Sequence, residues 1–254
     1  MPAVLSSDEI TKLRRSGKIL AAALEETVSF VKAGISTEAL NDIAEKALRR
    51  EGATPSFKNY FIKGSGRFPS ALCVSINSEL VHGIPSSKRV LKQGDIVSLD
   101  LGANYQGIFS DMAKTVAVMK ATAEDQKMIF VTNKALNLAV SSINPARTTG
   151  DIGNIIEKYV ASEGFVVIKN LVGHGIGKAP HEDPQIPNFG KPGEGVKFQE
   201  NCAYAIEPMV AIKNNKIITA PDHWTIKMKN GGNCAHFEQT ILVTNDGAEL
   251  ISKI

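Results

Sequence analysis

The chain of 254 residues is 43% hydrophobic and 22% charged and carries a net charge of +3, a composition typical of a globular protein with a sizeable core and too weakly basic to indicate a nucleic-acid-binding protein. Three widely spaced cysteines (Cys73, Cys202 and Cys234) form no CxxC pair, which argues against a disulfide framework or a thiolate zinc site and favours a reducing compartment. We expect a cytoplasmic protein without membrane attachment, because the N-terminal residues lack a secretory pattern and no apolar run approaches the roughly 20 residues that span a membrane.

The first half of the sequence predicts two helices followed by strands. Ser6 and Glu9 form an S-x-x-E capping box, and apolar residues continue at helical spacing to about Val31. A second helical pattern ends at Gly52, a typical C-terminal stop. The glycine-rich stretch KGSGRFP then predicts a flexible loop, with a place on the rim of a cleft as the alternative, before a strand at about residues 72–76.

The second half of the sequence repeats this order of elements. In each half a helix, a short loop and a second helix are followed by strands, and a Glu-Gly pair stops the second helix at Gly52 and at Gly164. Further strands are predicted near residues 165–168, 203–212, 216–220 and 235–243. We therefore predict an α+β fold in which residues 1–254 form one domain of two similar halves, about 7–120 and 121–254, with a cleft between them.

Two aspartates lie in a predicted hairpin, IVSLDLGANYQGIFSD, in the first half. Asp100 is in the middle of an apolar run, and Asp111 follows a short glycine-containing turn and precedes another apolar run. A carboxylate inside a strand is unfavourable unless a partner neutralises it, and two carboxylates brought together by a hairpin repel each other. This pattern predicts that a metal site begins here.

Five further polar residues interrupt apolar or glycine-rich sequence: His82, His174, His181, Glu207 and Glu238. Taken singly, a histidine beside glycine is more often a hydrogen-bonded loop residue, and a glutamate in a strand more often lies on an exposed face. That simpler interpretation is weak for the two glutamates, because apolar residues flank both of them in YAIEPMV and AHFEQTILV.

The four carboxylates together favour a metal centre. Four negative charges in one cleft require cations, and two divalent ions would neutralise them. Carboxylates with one imidazole suit Mn²⁺, Fe²⁺, Co²⁺ or Zn²⁺, and carboxylates can bridge two ions that activate a water for hydrolysis. His174 would complete this ligand set. His82 and His181 would remain for binding substrate and stabilising charge at a reacting carbonyl.

Several stretches of the sequence resemble type I methionine aminopeptidase, a pita-bread metallopeptidase. They are SINSELVHGIP, GDIVSLDLGANYQGIFSDMAKT, GHGIGKAPHEDPQIPNFG, YAIEPM, HWTIKMKN and AHFEQTILVT, and the match runs from about Ser7 to the C-terminus. The resemblance implies a single catalytic domain with the pita-bread fold, whose two pseudo-symmetric halves share a central antiparallel sheet covered by helices. It also implies a dinuclear-metal hydrolase that removes the N-terminal methionine from nascent proteins when the second residue is small.

The resemblance implies a role for each candidate ligand. Asp100 would bind one metal, Asp111 and Glu238 would bridge both, and His174 with Glu207 would hold the other. Glu207 is also similar in position to the family's general base for the attacking water.

The resemblance also implies a substrate side of the site. His82 would contact the substrate near the scissile amide, and His181 would steady the carbonyl oxygen as the tetrahedral intermediate forms. Phe68, Cys73 and Trp224 match positions around the pocket for the methionine side chain, where aromatic and sulfur groups suit a thioether.

Three residues depart from the family pattern. The family usually has Gln two residues before the last glutamate and His just after it, where this chain has His236 and Gln239. Pro180 replaces a common aromatic residue before the second histidine. The resemblance therefore leaves the surroundings of Glu238 and the pocket open.

Two other functions remain as alternatives: a Xaa-Pro aminopeptidase or dipeptidase of the same fold, and a non-catalytic pita-bread binding protein. The expected partners are nascent peptide N-termini, and the chain is expected to act as a monomer. Small basic clusters, such as Arg14-Arg15 and Lys88-Arg89, leave a transient ribosome contact open, although most such clusters are solvated surface.

Overall fold

Four helices pack against a nine-stranded sheet in the computed structural model, which describes residues 2–253. The helices are α1 (Ser7–Ser29), α2 (Thr37–Arg50), α3 (Ala123–Ser142) and α4 (Thr149–Ser162). The strands are β1 (Thr54–Pro55), β2 (Phe61–Ile62), β3 (Gly66–Arg67), β4 (Leu72–Ile76), β5 (Glu79–Val81), β6 (Ile96–Tyr105), β7 (Ile108–Ala117), β8 (Val166–Val167), β9 (Val172–Ile176), β10 (Glu182–Pro187), β11 (Ala203–Ile206), β12 (Met209–Ala211), β13 (Ile217–Thr219), β14 (Ile226–Met228), β15 (Cys234–His236), β16 (Glu238–Thr244) and β17 (Gly247–Leu250). The α+β class predicted from the sequence is confirmed.

Every helix begins at a hydroxyl side chain that accepts a hydrogen bond from a free N–H of its first turn. The predicted capping box of Ser6 and Glu9 is present at α1, which ends at Ser29 rather than at the predicted limit of about Val31. None of the helices within residues 2–253 combines the length and the apolar character needed to cross a membrane.

The large sheet is antiparallel, in the order β1–β6–β7–β16–β11–β9–β10, with β4 also paired to β6 and β17 to β16. Its apolar core divides into two main clusters. One lies under α1 and α2 and includes Leu24, Leu40 and Leu99; the other lies under α3 and α4 and includes Met128 and Ile156. The strands β7 and β16, which pair with each other, join the two parts of the sheet.

Two predicted strands are each broken in the structure. The strand predicted over residues 203–212 is split into β11 and β12 at Glu207-Pro208, because proline has no N–H for the ladder. The strand predicted over residues 235–243 is split into β15 and β16 at Phe237. The first break matters for the site, because it leaves Glu207 at the end of a strand instead of inside one.

Two strands near the candidate histidines are not predicted by the sequence pattern. β9 contains the glycines of VGHGI and β10 the prolines of EDPQIP, residue types that are depleted in strands. The KGSGRFP stretch, predicted as a loop, contains part of the short β2–β3 hairpin. Tyr60 and Ile62 before this stretch and Phe68 at its end line the cleft described below, whereas residues 63–67 do not.

Candidate metal centre and substrate cleft

The strand register places three candidate ligands on one face of the sheet. Asp100 on β6 and Glu238 on β16 lie opposite the same residue of β7, Ala113. Cross-strand partners share a face, and so do residues two apart on one strand, which brings Asp111 beside them. Three carboxylates from three adjacent strands therefore meet around one small alanine.

His174 and Glu207 approach this group from the neighbouring strands β9 and β11, on the same face of the sheet. His174 on β9 lies opposite Ala205 of β11, and Glu207 follows β11 at the strand break. The His174 Nε2 atom is 3.6 Å from Oε1 of Glu207 and 4.0 Å from Oε1 of Glu238. One potential ligand atom from each of Asp111, His174 and Glu238 lies within 4.8 Å of the others, so these groups can converge on one ion.

A buried threonine fixes the backbone of Asp111. The Asp111 N–H donates to Thr240 Oγ1 at 2.8 Å, and the Thr240 hydroxyl donates to the Asp111 carbonyl at 2.8 Å. The Asp111 carboxylate itself accepts a hydrogen bond from the Met112 N–H through Oδ1 at 2.9 Å. Thr240 was not singled out in the sequence, although it lies two residues after Glu238 and therefore on the same face of the strand.

The electrostatics of the site favour a cation. Desolvation raises the pKa of Asp100 to about 6 and raises the pKa of Asp111 and of Glu238 well above their usual range, and the neighbouring carboxylates raise the last two further. Asp100 Oδ1 and Glu238 Oε1 are buried without any hydrogen-bond partner among residues 2–253. Buried carboxylate oxygens without partners, together with an imidazole, fit a borderline divalent metal ion.

His174 has the geometry of a ligating imidazole. Its Nδ1 lies 2.9 Å from the carbonyl oxygen of Gly175, and a proton on Nδ1 donates there. The proton-free Nε2 then faces the carboxylates, which is the usual tautomer of a metal ligand whose other nitrogen is held by the backbone.

The predicted pocket residues form one buried cluster beside the carboxylates. Phe68, Cys73 and Trp224 pack together with Phe57, and the rings of Phe68 and Trp224 are 5.2 Å apart in an edge-to-face arrangement. Cys73 lies opposite Asp100 in the β4–β6 pair, so the apolar pocket directly adjoins the candidate metal ligands. His82 also lines the cleft, with its ring centre 6.2 Å from that of Trp224.

The signature of metallopeptidase family M24 matches residues 11–245. The chain belongs to metallopeptidase family M24. It is 41% identical to methionine aminopeptidase 1 of Bacillus subtilis over 97% of both chains, and 39% identical to methionine aminopeptidase of Clostridium perfringens over 98% of both.

Solved structures show the same fold. A methionine aminopeptidase from Thermotoga maritima superposes with a TM-score of 0.96 at 39% identity, and one from Rickettsia prowazekii with 0.94 at 32% identity, each covering 100% of both chains. An Xaa-Pro dipeptidase from Bacillus anthracis superposes with 0.79 at 26% identity over 99% of this chain and 62% of that one. The pita-bread fold implied by the sequence resemblance is therefore confirmed.

Within this M24 fold, His181 has a partner that the sequence did not reveal. Its Nδ1 lies 3.0 Å from the hydroxyl of Tyr60, and its ring centre is 4.5 Å from that of His174. Desolvation within the cleft is the main cause that lowers the pKa of His181, and the His174 and His82 imidazoles lower it further. Desolvation also lowers the pKa of His82 to about 4. Both imidazoles are therefore neutral at pH 7.

Replacing Tyr60 by phenylalanine should reduce turnover about threefold to tenfold, the equivalent of one hydrogen bond of about 0.5–1.5 kcal/mol. A phenol that donates to Nδ1 holds the proton of His181 on Nε2, where it can be donated to a substrate. Steady-state kinetics of Tyr60→Phe beside Tyr159→Phe, a helix tyrosine outside the cleft, would measure the effect. Equal turnover in both variants would contradict this role of Tyr60.

Glu182 holds the loop that carries His181. Its Oε1 accepts hydrogen bonds from the N–H groups of Lys178 and Ala179 at 2.7 and 2.9 Å, and its Oε2 accepts one from the Ala3 N–H at 2.8 Å. The sequence offers no signal for this role, because the Ala3 contact joins residues 179 positions apart. Pro180, one of the departures from the family pattern, lies in this loop and does not line the cleft.

Metal binding to this M24 centre should weaken as the pH falls. A carboxylate must lose its proton to bind a cation, and burial raises the pKa of Asp100 to about 6 and those of Asp111 and Glu238 well above normal in the metal-free protein. A raised pKa means that protons compete at neutral pH, so affinity for Mn²⁺ should increase between about pH 5.5 and 7.5, with proton release. Titration calorimetry in buffers of different ionisation enthalpy measures the Mn²⁺ affinity and the number of protons released. An affinity independent of pH would contradict the prediction.

Proposed function

We propose that this chain is a type I methionine aminopeptidase, which hydrolyses the first peptide bond of nascent proteins when methionine is followed by a small residue. The observation that carries the proposal is the position of an apolar pocket of Phe68, Cys73 and Trp224 directly beside a cluster of metal-ligand side chains. Similarity to methionine aminopeptidases along 97% of the chain supports the same substrate.

We further propose that the centre binds two divalent ions. Asp100 would hold one ion, His174 and Glu207 the other, while Asp111 and Glu238 would bridge them. When bound, such ions polarise a carbonyl and lower the pKa of water. Elemental analysis of protein purified without added metal, followed by activity titration with Mn²⁺, Fe²⁺, Co²⁺ and Zn²⁺, would test the number and identity of the ions.

The protein side chains have separate tasks in this reaction. Glu207, whose side chain is only 12% exposed at the strand break, takes the proton of the attacking water and passes it to the leaving amine. Neutral His181 donates from Nε2 to the carbonyl oxygen as negative charge develops there. His82 lies where it can orient the scissile amide, and the aromatic pocket beside it accepts the methionine thioether.

Release of free methionine from Met-Ala-Ser tests the function directly. We expect release with Mn²⁺, Fe²⁺ or Co²⁺ supplied and much slower release from Met-Leu-Ser, because the second residue must be small. A parallel Xaa-Pro peptide tests the alternative. Absence of methionine release with all three metals would contradict the main proposal, and preferential cleavage of the Xaa-Pro peptide would favour the alternative.

The alternatives have weaker support. The Xaa-Pro dipeptidase is less similar to this chain, at 26% identity and a TM-score of 0.79, than the methionine aminopeptidase of Thermotoga maritima, at 39% and 0.96. A non-catalytic binding protein would be expected to have lost ligand positions, whereas all five candidate ligands lie in one cleft. We propose nascent peptide N-termini as the partners of this chain and a monomer as its active form; sedimentation of the protein alone and with ribosomes would test the monomer and the transient ribosome contact.

A further inference from the structure

His236 is a buried histidine without hydrogen-bond partners. Its residue is 1% exposed, and neither ring nitrogen has a partner among residues 2–253. Leaving a buried polar group unpaired is destabilising, so each such group calls for an explanation. The ring lines the cleft, and one of its nitrogens lies within 4.8 Å of carboxylate oxygens of Glu207 and Glu238.

The backbone of His236 is held in the same way as that of Asp111. The His236 N–H donates to Thr115 Oγ1 at 2.9 Å, and the Thr115 hydroxyl donates to the His236 carbonyl at 2.8 Å. The equivalent pair of hydrogen bonds joins Asp111 to Thr240. The Asp111–Thr240 and Thr115–His236 contacts lie on either side of the Ala113–Glu238 strand pair. A local two-fold axis through that strand pair therefore relates the position of His236 to that of Asp111.

The two glutamates divide their oxygens between two imidazoles. Oε1 of Glu207 and of Glu238 faces His174, at 3.6 and 4.0 Å from its Nε2. Oε2 of Glu207 and of Glu238 faces His236, at 3.3 and 3.8 Å from its Nε2. Neither His236 contact is a hydrogen bond, but both carboxylate oxygens lie close enough to the ring for electrostatic attraction to a polar N–H in this buried site.

We propose that His236 is a positioning residue of the metal centre. Its Nε2–H group attracts Oε2 of both Glu207 and Glu238, which keeps the Oε1 atoms turned towards His174 and the ligand positions. Fixing the rotation of two ligands in advance lowers the conformational freedom that metal binding must remove. This inference rests on the metal site of the proposed function and assigns a task to a residue that departs from the family pattern.

Two substitutions separate the N–H donor from the imidazole ring. His236→Gln keeps an N–H donor of similar reach and removes the ring, whereas His236→Leu fills a similar volume without a donor; His236→Ala serves as a second donor-free variant. Gln239→Leu is the matched control, because Gln239 neighbours Glu238, contains a buried oxygen without a partner and does not line the cleft. Thermal unfolding of the metal-free proteins checks that each variant folds.

Calorimetric titration of the metal-free proteins with MnCl₂ and visible absorption after addition of CoCl₂ report on the site without substrate. We expect His236→Leu and His236→Ala to lose about 10–100-fold in metal affinity, the usual effect of removing a group that orients a ligand. The Gln variant should bind Mn²⁺ within about threefold of the unmodified protein and keep its Co²⁺ spectrum. Gln239→Leu should behave like the unmodified protein.

Three results would overturn the inference. Unchanged affinity in both donor-free variants would show that His236 does not act on the ligands. A His236→Gln protein as weak as His236→Leu, with an altered Co²⁺ spectrum, would show that the ring itself is a ligand. Equal loss in Gln239→Leu would show general disruption of the strand. Failure of the unmodified protein to bind Mn²⁺ at all would contradict the metal site of the proposed function instead.

Discussion

Replacing Glu207 by alanine should lower kcat by at least about 10³-fold, because the substitution removes the proposed metal ligand and the proposed general base together. The side chain lies at the break between β11 and β12, and the Asn188 side chain donates to the Glu207 carbonyl at 3.0 Å. Its Oε1 faces His174 while its Oε2 faces His236.

The variant Glu207→Gln separates the loss of the proposed metal ligand from the loss of the proposed general base. Glutamine keeps the size and one oxygen but cannot accept the proton, so a poorly active protein with retained metal would assign the base to Glu207. Glu200→Ala, at an exposed glutamate before β11, is the matched control and should be fully active. Methionine release and elemental analysis on all three variants measure the effects; near-normal turnover in Glu207→Ala would refute the role.

The candidate ligands stand out in the sequence because each gives a local signal. Asp100 and Glu238 lie in apolar strand runs, where an unpaired carboxylate is unfavourable whatever the rest of the chain does. His174 has a glycine on each side, and the sequence predicts that its imidazole completes the carboxylate set. That the structure brings all of these side chains together follows from strand pairing, since β6, β7, β16, β11 and β9 are neighbours in one sheet.

The hydrogen bonds that hold the candidate site residues in place could not be predicted from the sequence in the same way. Tyr60 meets His181 across 121 positions, Thr240 meets Asp111 across 129, and Glu182 meets Ala3 across 179. Such pairs are set by the folded sheet, and local periodicity contains no information about them. The strands β9 and β10 were missed for a related reason: glycine and proline lower the local preference for a strand, and pairing with β11 overrides it.

Replacing His181 by alanine should reduce kcat by about 10²–10³-fold, the usual effect of removing one donor from a developing oxyanion. The metal content should be unchanged, because the candidate ligands are held by other strands and by Thr240. Burial of part of the ring and the neighbouring His174 lower the pKa of His181, so the neutral donor persists when the pH falls below about 6.5, the usual pKa of histidine.

His181→Gln is the matched variant, since its amide can still donate a hydrogen bond although no phenol then fixes a tautomer. We expect it to recover part of the lost turnover, with KM for Met-Ala-Ser changed less than kcat in both variants. Loss of metal from His181→Ala would make this residue a ligand instead of an oxyanion donor. Unchanged kcat would remove it from the reaction altogether, and Tyr60, whose predicted effect passes through Nδ1 of the same ring, would then lose its role as well.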